Sequence, residues 1–270
     1  MLSRSLAVLV VAGAALGAPP PRAPIPRDPG KLARALVATK HELATEIDAW
    51  RAAGARSRPP DDVTLNALYE QRLELVLAQK SALADAVLRR LARPLAREVR
   101  TNLIAKRRLW RLTPVSHRRR FRTGPALPPA TLLGYYRAAQ RRFDVQWSLL
   151  AAVNFVESAF NKLRNDSATG AQGPMQFMPA TWRAYGLGGD VHDPRDAIMG
   201  AANYLHANGA PRNNRRALYR YNPSPLYVDA VLRYARRIAT DPRAFYDYYA
   251  WQVYVRTRHG LRRITGPGLR

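Results

Sequence analysis

The feature that most limits this chain is the spacing of its apolar residues. They recur at helical intervals along nearly all of its length, and no stretch alternates apolar and polar long enough to suggest a sheet. From Leu32 to Trp50, the side chains of Leu36, Leu43, Ile47 and Trp50 share one helix face. Pro59, Pro60, Asp61 and Asp62 break the chain and open a second helix, striped by Leu65, Leu68, Tyr69, Val76, Leu83 and Val87. Pro94 restarts a helix through Val99, Leu103 and Trp110. Gly124, Pro125, Pro128 and Pro129 then mark a boundary. Beyond it, helices are expected over residues 132–143 and 146–160, with Leu149, Val153, Val156 and Phe160 as the core stripe of the second. A shorter helix carries Trp182 and Tyr185 and ends at Gly186. Asp193-Pro194-Arg195-Asp196 is a helix start, with Asp at the cap, Pro at the first helical position and an acid near the positive end of the dipole. Gly209 stops that helix, another runs from Leu218 until Pro223, and Ser224-Pro225 opens a last long one through Ile238. The expected fold class is all-α, with an N-terminal helical region over 30–122, a globule over 129–240 and an extension over 241–270.

The chain has 270 residues, enough for one sizeable core or two modest ones. It contains no cysteine, which excludes disulfides, thiolate metal sites and a lipid-modified cysteine. The formal net charge is +25, carried mainly by arginine. Two readings stay open: a compositional bias favouring Arg and Ala, or an anionic partner such as nucleic acid, a membrane surface or a cell wall. From Ala86 to Arg122 the basic residues face a single acid, Glu98, and the run ends in Arg118, Arg119, Arg120 and Arg122 around Phe121. This is a solvated helix face running into a loop, or a docking strip for an anionic polymer.

Residues 1–17 have the form of a signal peptide: Arg4, a short apolar run from Leu6 to Leu16, then small residues at Ala15 and Gly17. The run is too short to span a bilayer as a helix of ~20 residues. Residues 18–29 form a Pro-rich linker, expected to be extended and semi-rigid. Export to the cell envelope or beyond is expected, with no membrane span after cleavage; an uncleaved anchor is the alternative. No metal or cofactor is expected. His41-Glu42 begins like a zincin motif, but Thr45 stands where the second histidine belongs, and the remaining histidines lack ligand spacing.

Glu157 is the only glutamate after Glu98 and sits in the last turn of an apolar helix. Apolar surroundings and the negative helix end both disfavour its carboxylate form. A glutamate held protonated near neutral pH is what a general acid at a glycosidic oxygen requires. A helix-end glutamate paired with an arginine such as Arg164 would look the same. The segment that follows runs Glu157-Ser158, then Ser167, then Gly170-Ala171-Gln172-Gly173-Pro174-Met175-Gln176. Its two glycines permit a tight turn and close approach to a ligand. Further on, Tyr204-Leu205 lies on a helix and Tyr221-Asn222 ends one.

These elements, in this order, resemble the soluble lytic transglycosylase (SLT) domain, a lysozyme-like fold that cuts peptidoglycan. The family pattern is Glu-Ser, Gly-x-x-Gly-Leu-Met-Gln, a helical Tyr-Leu and a Tyr-Asn pair, and the likeness covers roughly Leu132 to Ile238. The stretch from Leu132 to Trp251, including the Tyr248-Tyr249-Ala250-Trp251-Gln252 tail, also resembles actinobacterial members. Pro174 replaces the usual leucine and stiffens the turn, and Pro223-Ser224 replaces the usual Ala-Gly after the Tyr-Asn pair.

The resemblance implies Glu157 as sole catalytic carboxylate, acid and then base. It implies Met175 and Gln176 positioning an N-acetyl group, and Tyr221 and Asn222 flanking Glu157. Ser158 would support the helix end and Ser167 would contact the sugar. Peptidoglycan glycan strands are the implied partner, and the Arg-rich strip is a candidate site for anionic wall polymers. A lysozyme-type hydrolase needs a second acid, for which Asp166, Asp190, Asp193 and Asp196 are the choices. A basic helical protein that binds nucleic acid or the wall without catalysis is the rival of another class, although no nucleic-acid recognition motif is present.

Overall fold

The helices that start at Pro29, Pro194, Asn214 and Pro225 begin where a side chain satisfies one or more of their first N–H groups. The computed structural model describes residues 17–117 and 120–269; the signal peptide expected over residues 1–17 lies outside the described residues except for Gly17, as do the basic Arg118 and Arg119. Helix α1 (Pro29–Ala52) starts with Asp28 accepting from the Lys31 N–H. Then come α2 (Asp61–Gln79), α3 (Ser81–Leu88) and α4 (Arg93–Leu112). After the proline boundary follow α5 (Pro129–Phe143), α6 (Trp147–Ser158) and α7 (Pro179–Tyr185). Asp193 accepts from Arg195 and Asp196 N–H groups at 2.8 and 3.0 Å to open α8 (Pro194–Ala207). Next are α9 (Asn214–Tyr221) and α10 (Pro225–Thr240), the latter capped by Ser224.

The all-α expectation holds, with four differences. The single helix expected from Leu65 to Val87 is two, because Lys80 leaves the helical region at φ −122° and ψ 91°. No glycine or proline marks that break; it lets α3 turn and pack on α1 and α4. The Pro-rich segment, expected as a semi-rigid linker, is tied to α2: Arg72 and Tyr69 donate to the carbonyls of Pro21 and Pro24, each at 3.2 Å. The helix begun at Pro225 is not the last, since α11 (Arg243–Ala250) follows. A hairpin of β1 (Tyr254–Thr257) and β2 (Gly260–Arg263) then pairs antiparallel, with Tyr254 opposite Arg263. Its four-residue strands are too short for an alternating pattern to stand out.

Helix α10 packs against α4, α6, α9 and α11, so it joins the two halves of the chain. The main core includes Leu43, Ile47 and Trp50 of α1, Val63 and Ala67 of α2, and Ala105 of α4. They pack with Leu149 and Val153 of α6 and Val228 and Val231 of α10. A second cluster around Leu32, Leu36, Leu73, Leu77 and Val99 belongs to the first four helices. Among the described residues no helix is long and apolar enough to cross a membrane.

Candidate active site

Helix α6 ends abruptly after Glu157 and Ser158. Ala159, Phe160 and Asn161 follow in the left-handed region, at φ 51°, 63° and 67°. The helix expected to reach Phe160 therefore stops two residues earlier. Non-glycine residues in this conformation each cost roughly 1–2 kcal/mol, so something must hold them. Ser158 accepts from the Asn161 N–H at 2.8 Å, and the Leu163 N–H bonds the Ser158 carbonyl at 3.0 Å. Phe160 is fully buried and stacks on Phe155, with ring centroids 5.6 Å apart. Packing thus fixes the turn that sets where Glu157 points.

The glycine turn is tied to the same helix from inside. Asn154 donates to the Pro174 carbonyl at 2.9 Å, Ser158 donates to it at 2.7 Å, and Tyr136 donates to Asn154 Oδ1 at 2.6 Å. Gly173 has φ 72°, and a Cβ there would stand 1.9 Å from the Val191 carbonyl oxygen, so only glycine fits. Gln172 and Phe177 exchange backbone hydrogen bonds at 2.8 and 2.9 Å across the loop that holds Met175 and Gln176. Tyr221 reaches from α9 and donates to the Met175 carbonyl at 2.6 Å. Glu157, the turn and Tyr221 are in this way held together by α6 and α9.

Glu157 remains partly open at the surface. Burial of its carboxyl among protein atoms pushes its pKa up to about 7, and a hydrogen bond from Tyr227 works against that rise. Tyr227 Oη donates to Glu157 Oε1 at 2.6 Å. Burial and the nearby Glu157 charge hold both Tyr221 and Tyr227 well above the usual phenol range, so both remain hydroxyl donors. Arg164 does not pair with Glu157; its guanidinium bonds the carbonyls of Pro125 and Asn161.

The other expected site residues are placed as follows. Ser158 is buried against Pro174 and faces inward. Met175 is also fully buried, so its side chain belongs to the core and its carbonyl receives Tyr221. Gln176, at φ 51°, folds its amide back onto the Gly173 carbonyl at 2.9 Å. Ser167 closes the glycine turn by accepting from Ala171 N–H at 2.9 Å. Asn222 follows α9 with its N–H on the Leu218 carbonyl at 2.9 Å. The hydroxyl on Glu157 belongs to Tyr227, a position of α10 that sequence reasoning did not single out; Tyr221, expected to flank Glu157, lies close enough to feel its charge and donates its own hydrogen bond to the Met175 carbonyl.

The model of the family described as "Transglycosylase SLT domain" matches residues 134–242, a stretch that contains Glu157, the glycine turn, Tyr221 and Tyr227. The chain carries an SLT domain. Curated relatives include the membrane-bound lytic murein transglycosylase F of Pseudomonas fluorescens strain Pf0-1, 28% identical over 148 residues. That alignment covers 49% of this chain and 30% of the relative. The proteins of the same name in Thiobacillus denitrificans and Cellvibrio japonicus are 29% and 28% identical, over 42% and 48% of this chain. They are covered for 25% and 29% of their own lengths, so the chain spans less than a third of the relatives it matches. No solved structure matches the chain significantly. Around the SLT domain, α1, α2 and α4 supply part of the same core.

Proposed function

We propose that this protein is an exported peptidoglycan lytic transglycosylase of the cell envelope, with Glu157 as acid and then base. The observation that carries the reading is a single carboxyl held near pKa 7 by burial, with Tyr227 bonded to it at 2.6 Å inside the SLT domain. In this scheme Glu157 protonates the oxygen joining MurNAc to GlcNAc. The electron pair of the C1–O bond leaves with that oxygen, and the substrate's own N-acetyl group stabilises the charge on C1. Glu157, now a carboxylate, takes the proton of the C6 hydroxyl as that oxygen attacks C1. A 1,6-anhydro ring closes, no water is consumed, and Glu157 ends protonated.

A hydrolytic pair would need a second free carboxylate across the cleft. Asp193 and Asp196 are engaged at the start of α8, where Asp193 caps the helix and Asp196 accepts from the Asp190 N–H at 3.0 Å. Asp166 stands 3.6 Å from Arg122. Mass spectrometry of digested peptidoglycan separates the two reactions. Anhydro-ended products are expected, and reducing-end products would replace this reading with hydrolysis.

Tyr227 is a positioning residue in this scheme. In Tyr227→Phe the carboxyl loses its one side-chain donor, so its pKa moves up from about 7. The alkaline limb of the kcat profile, where the acid form is lost, should shift to higher pH. The rate should fall roughly tenfold, since a misdirected acid forfeits part of the ~10²–10⁴ that general acid catalysis supplies. A lower rate with an unmoved limb would deny Tyr227 this role.

A further inference from the structure

Two long segments of the chain, residues 99–143 and 248–270, contain no aspartate or glutamate. The fold brings their basic parts together. Arg256 of β1 donates to the carbonyls of Trp110 and Thr113 at 3.3 and 3.4 Å, and the Ser116 N–H donates to the Arg256 carbonyl at 2.7 Å. The hairpin is thereby laid against the end of α4. Between them lies a cavity of about 670 Å³, and a second of about 490 Å³ lies between the hairpin and Ser116 and His117; the two share Thr257, Arg258 and Leu261 and so adjoin as one basic groove.

The groove wall carries Arg107, Arg111, Arg256, Arg258 and Arg262, and no acidic residue lines either cavity. Elsewhere in the fold arginines find carboxylates: Arg108 meets Asp229 at 2.9 Å and Arg237 meets Glu98 at 2.7 Å. None of the ion pairs among the described residues reaches Arg111, Arg256 or Arg258. Like charges gathered in one groove repel, and a bound polyanion removes that cost. The guanidinium fork matches the two free oxygens of a phosphodiester. The groove is lined by one large aromatic ring, Trp110, and not by a row of them as successive stacked bases would need. Trp110 offers a flat apolar face to the carbon side of a sugar or polyol.

We propose that this groove binds a linear phosphodiester polymer of the cell wall, built on polyol or sugar units. The wall as its source rests on the transglycosylase reading; the phosphodiester chemistry rests on the groove alone. The partner is thus narrower than the general anionic polymer suggested by the basic strip, and the site lies between α4 and the hairpin, which were not expected to meet.

The test uses the full chain and purified poly(glycerol phosphate), with binding measured by titration at several salt concentrations. Arg111 and Arg258 are exposed, so Arg111→Gln/Arg258→Gln leaves the Arg256 and Arg107 backbone contacts in place. This double variant should weaken binding about tenfold and flatten the salt dependence. Arg137→Gln/Arg141→Gln removes the same charge from the exposed face of α5 and should change binding little. Equal weakening by both variants would overturn the groove. Single-stranded DNA binding at least as tightly as the polymer, with the same loss in Arg111→Gln/Arg258→Gln, would overturn the wall polymer in favour of nucleic acid. Digestion of polymer-free glycan strands should be unchanged in the groove variant. Absent digestion in wild type, with polymer binding intact, would sink the enzymatic reading and leave the groove standing.

Discussion

Glu157→Gln should abolish strand cleavage and at the same time make the protein more stable above neutral pH. The loss of rate should exceed about 10³-fold, because the amide can neither deliver nor accept the proton in a scheme with one carboxyl. The gain in stability follows from the direction of the pKa shift. The folded-state value of about 7 lies above the ordinary 4.5, so the folded protein binds this proton more tightly than the unfolded chain does. Stability from this group is full below the unfolded value and is lost as pH rises through the folded one. Above pH 7 the buried charge costs at most about 3 kcal/mol, less the part that water recovers at the open edge. The amide carries no charge and escapes that cost. Muropeptide analysis reads the first effect, and urea midpoints at pH 5 and pH 8 read the second. Retained cleavage would remove the whole scheme; a variant less stable than wild type at pH 8 would show that the site is not strained by its charge.

Lys40→Met should cause a large loss of stability although it lies away from the cleft. Lys40 Nζ lies 2.6 Å from Glu70, 2.7 Å from Glu98 and 3.1 Å from Asp247, which come from α2, α4 and α11. Beside them Lys106 pairs with Glu74 at 2.8 Å, and Arg237 pairs with Glu98. Glu70, Glu74, Glu98 and Asp247 thus face Lys40, Lys106 and Arg237, with one more carboxylate than cations. Burial first, and then their mutual repulsion, raises the pKa of Glu70 well above its ordinary value; burial and neighbouring acids, Glu98 above all, also raise that of Asp247. Removing the central cation should cost about 3–5 kcal/mol, since it leaves buried charges without a partner. The raised folded values give the pH sign: protonation relieves the cluster, so the loss should be smaller at pH 5 than at pH 8. Adding Glu70→Leu to Lys40→Met should recover part of it. A single variant within about 0.5 kcal/mol of wild type at pH 8, the range of an ordinary surface change, would mean that the cluster does not hold the helices together.

The fold was legible wherever a local signal carried it. Asp193-Pro194 and Ser224-Pro225 begin helices in the structure as they do on paper, because a cap is a property of a few adjacent residues. The glycine turn after Glu157 was legible for the same reason, since Gly173 has room for nothing larger. What was missed depends on distant partners. Glu70 and Glu74 look like the solvent face of α2, yet both are fully buried against Lys40 and Lys106. The left-handed run from Ala159 to Asn161 has no glycine to announce it and exists because the Phe160 ring finds a place in the core. Tyr227 could be placed on a helix from its neighbours, but its bond to Glu157 spans seventy positions of chain.

The shared core of α1, α2, α4, α6 and α10 bears on how this domain could be inherited or reused. The stretch matched by the SLT family begins at residue 134, but apolar side chains from well before that point close its interior. Moved into another protein as that stretch alone, it would expose one side of α10 where α4 now lies. The SLT portion here is not a portable cassette. Any rearrangement that recombines it must carry the preceding helices along or supply substitutes of the same shape.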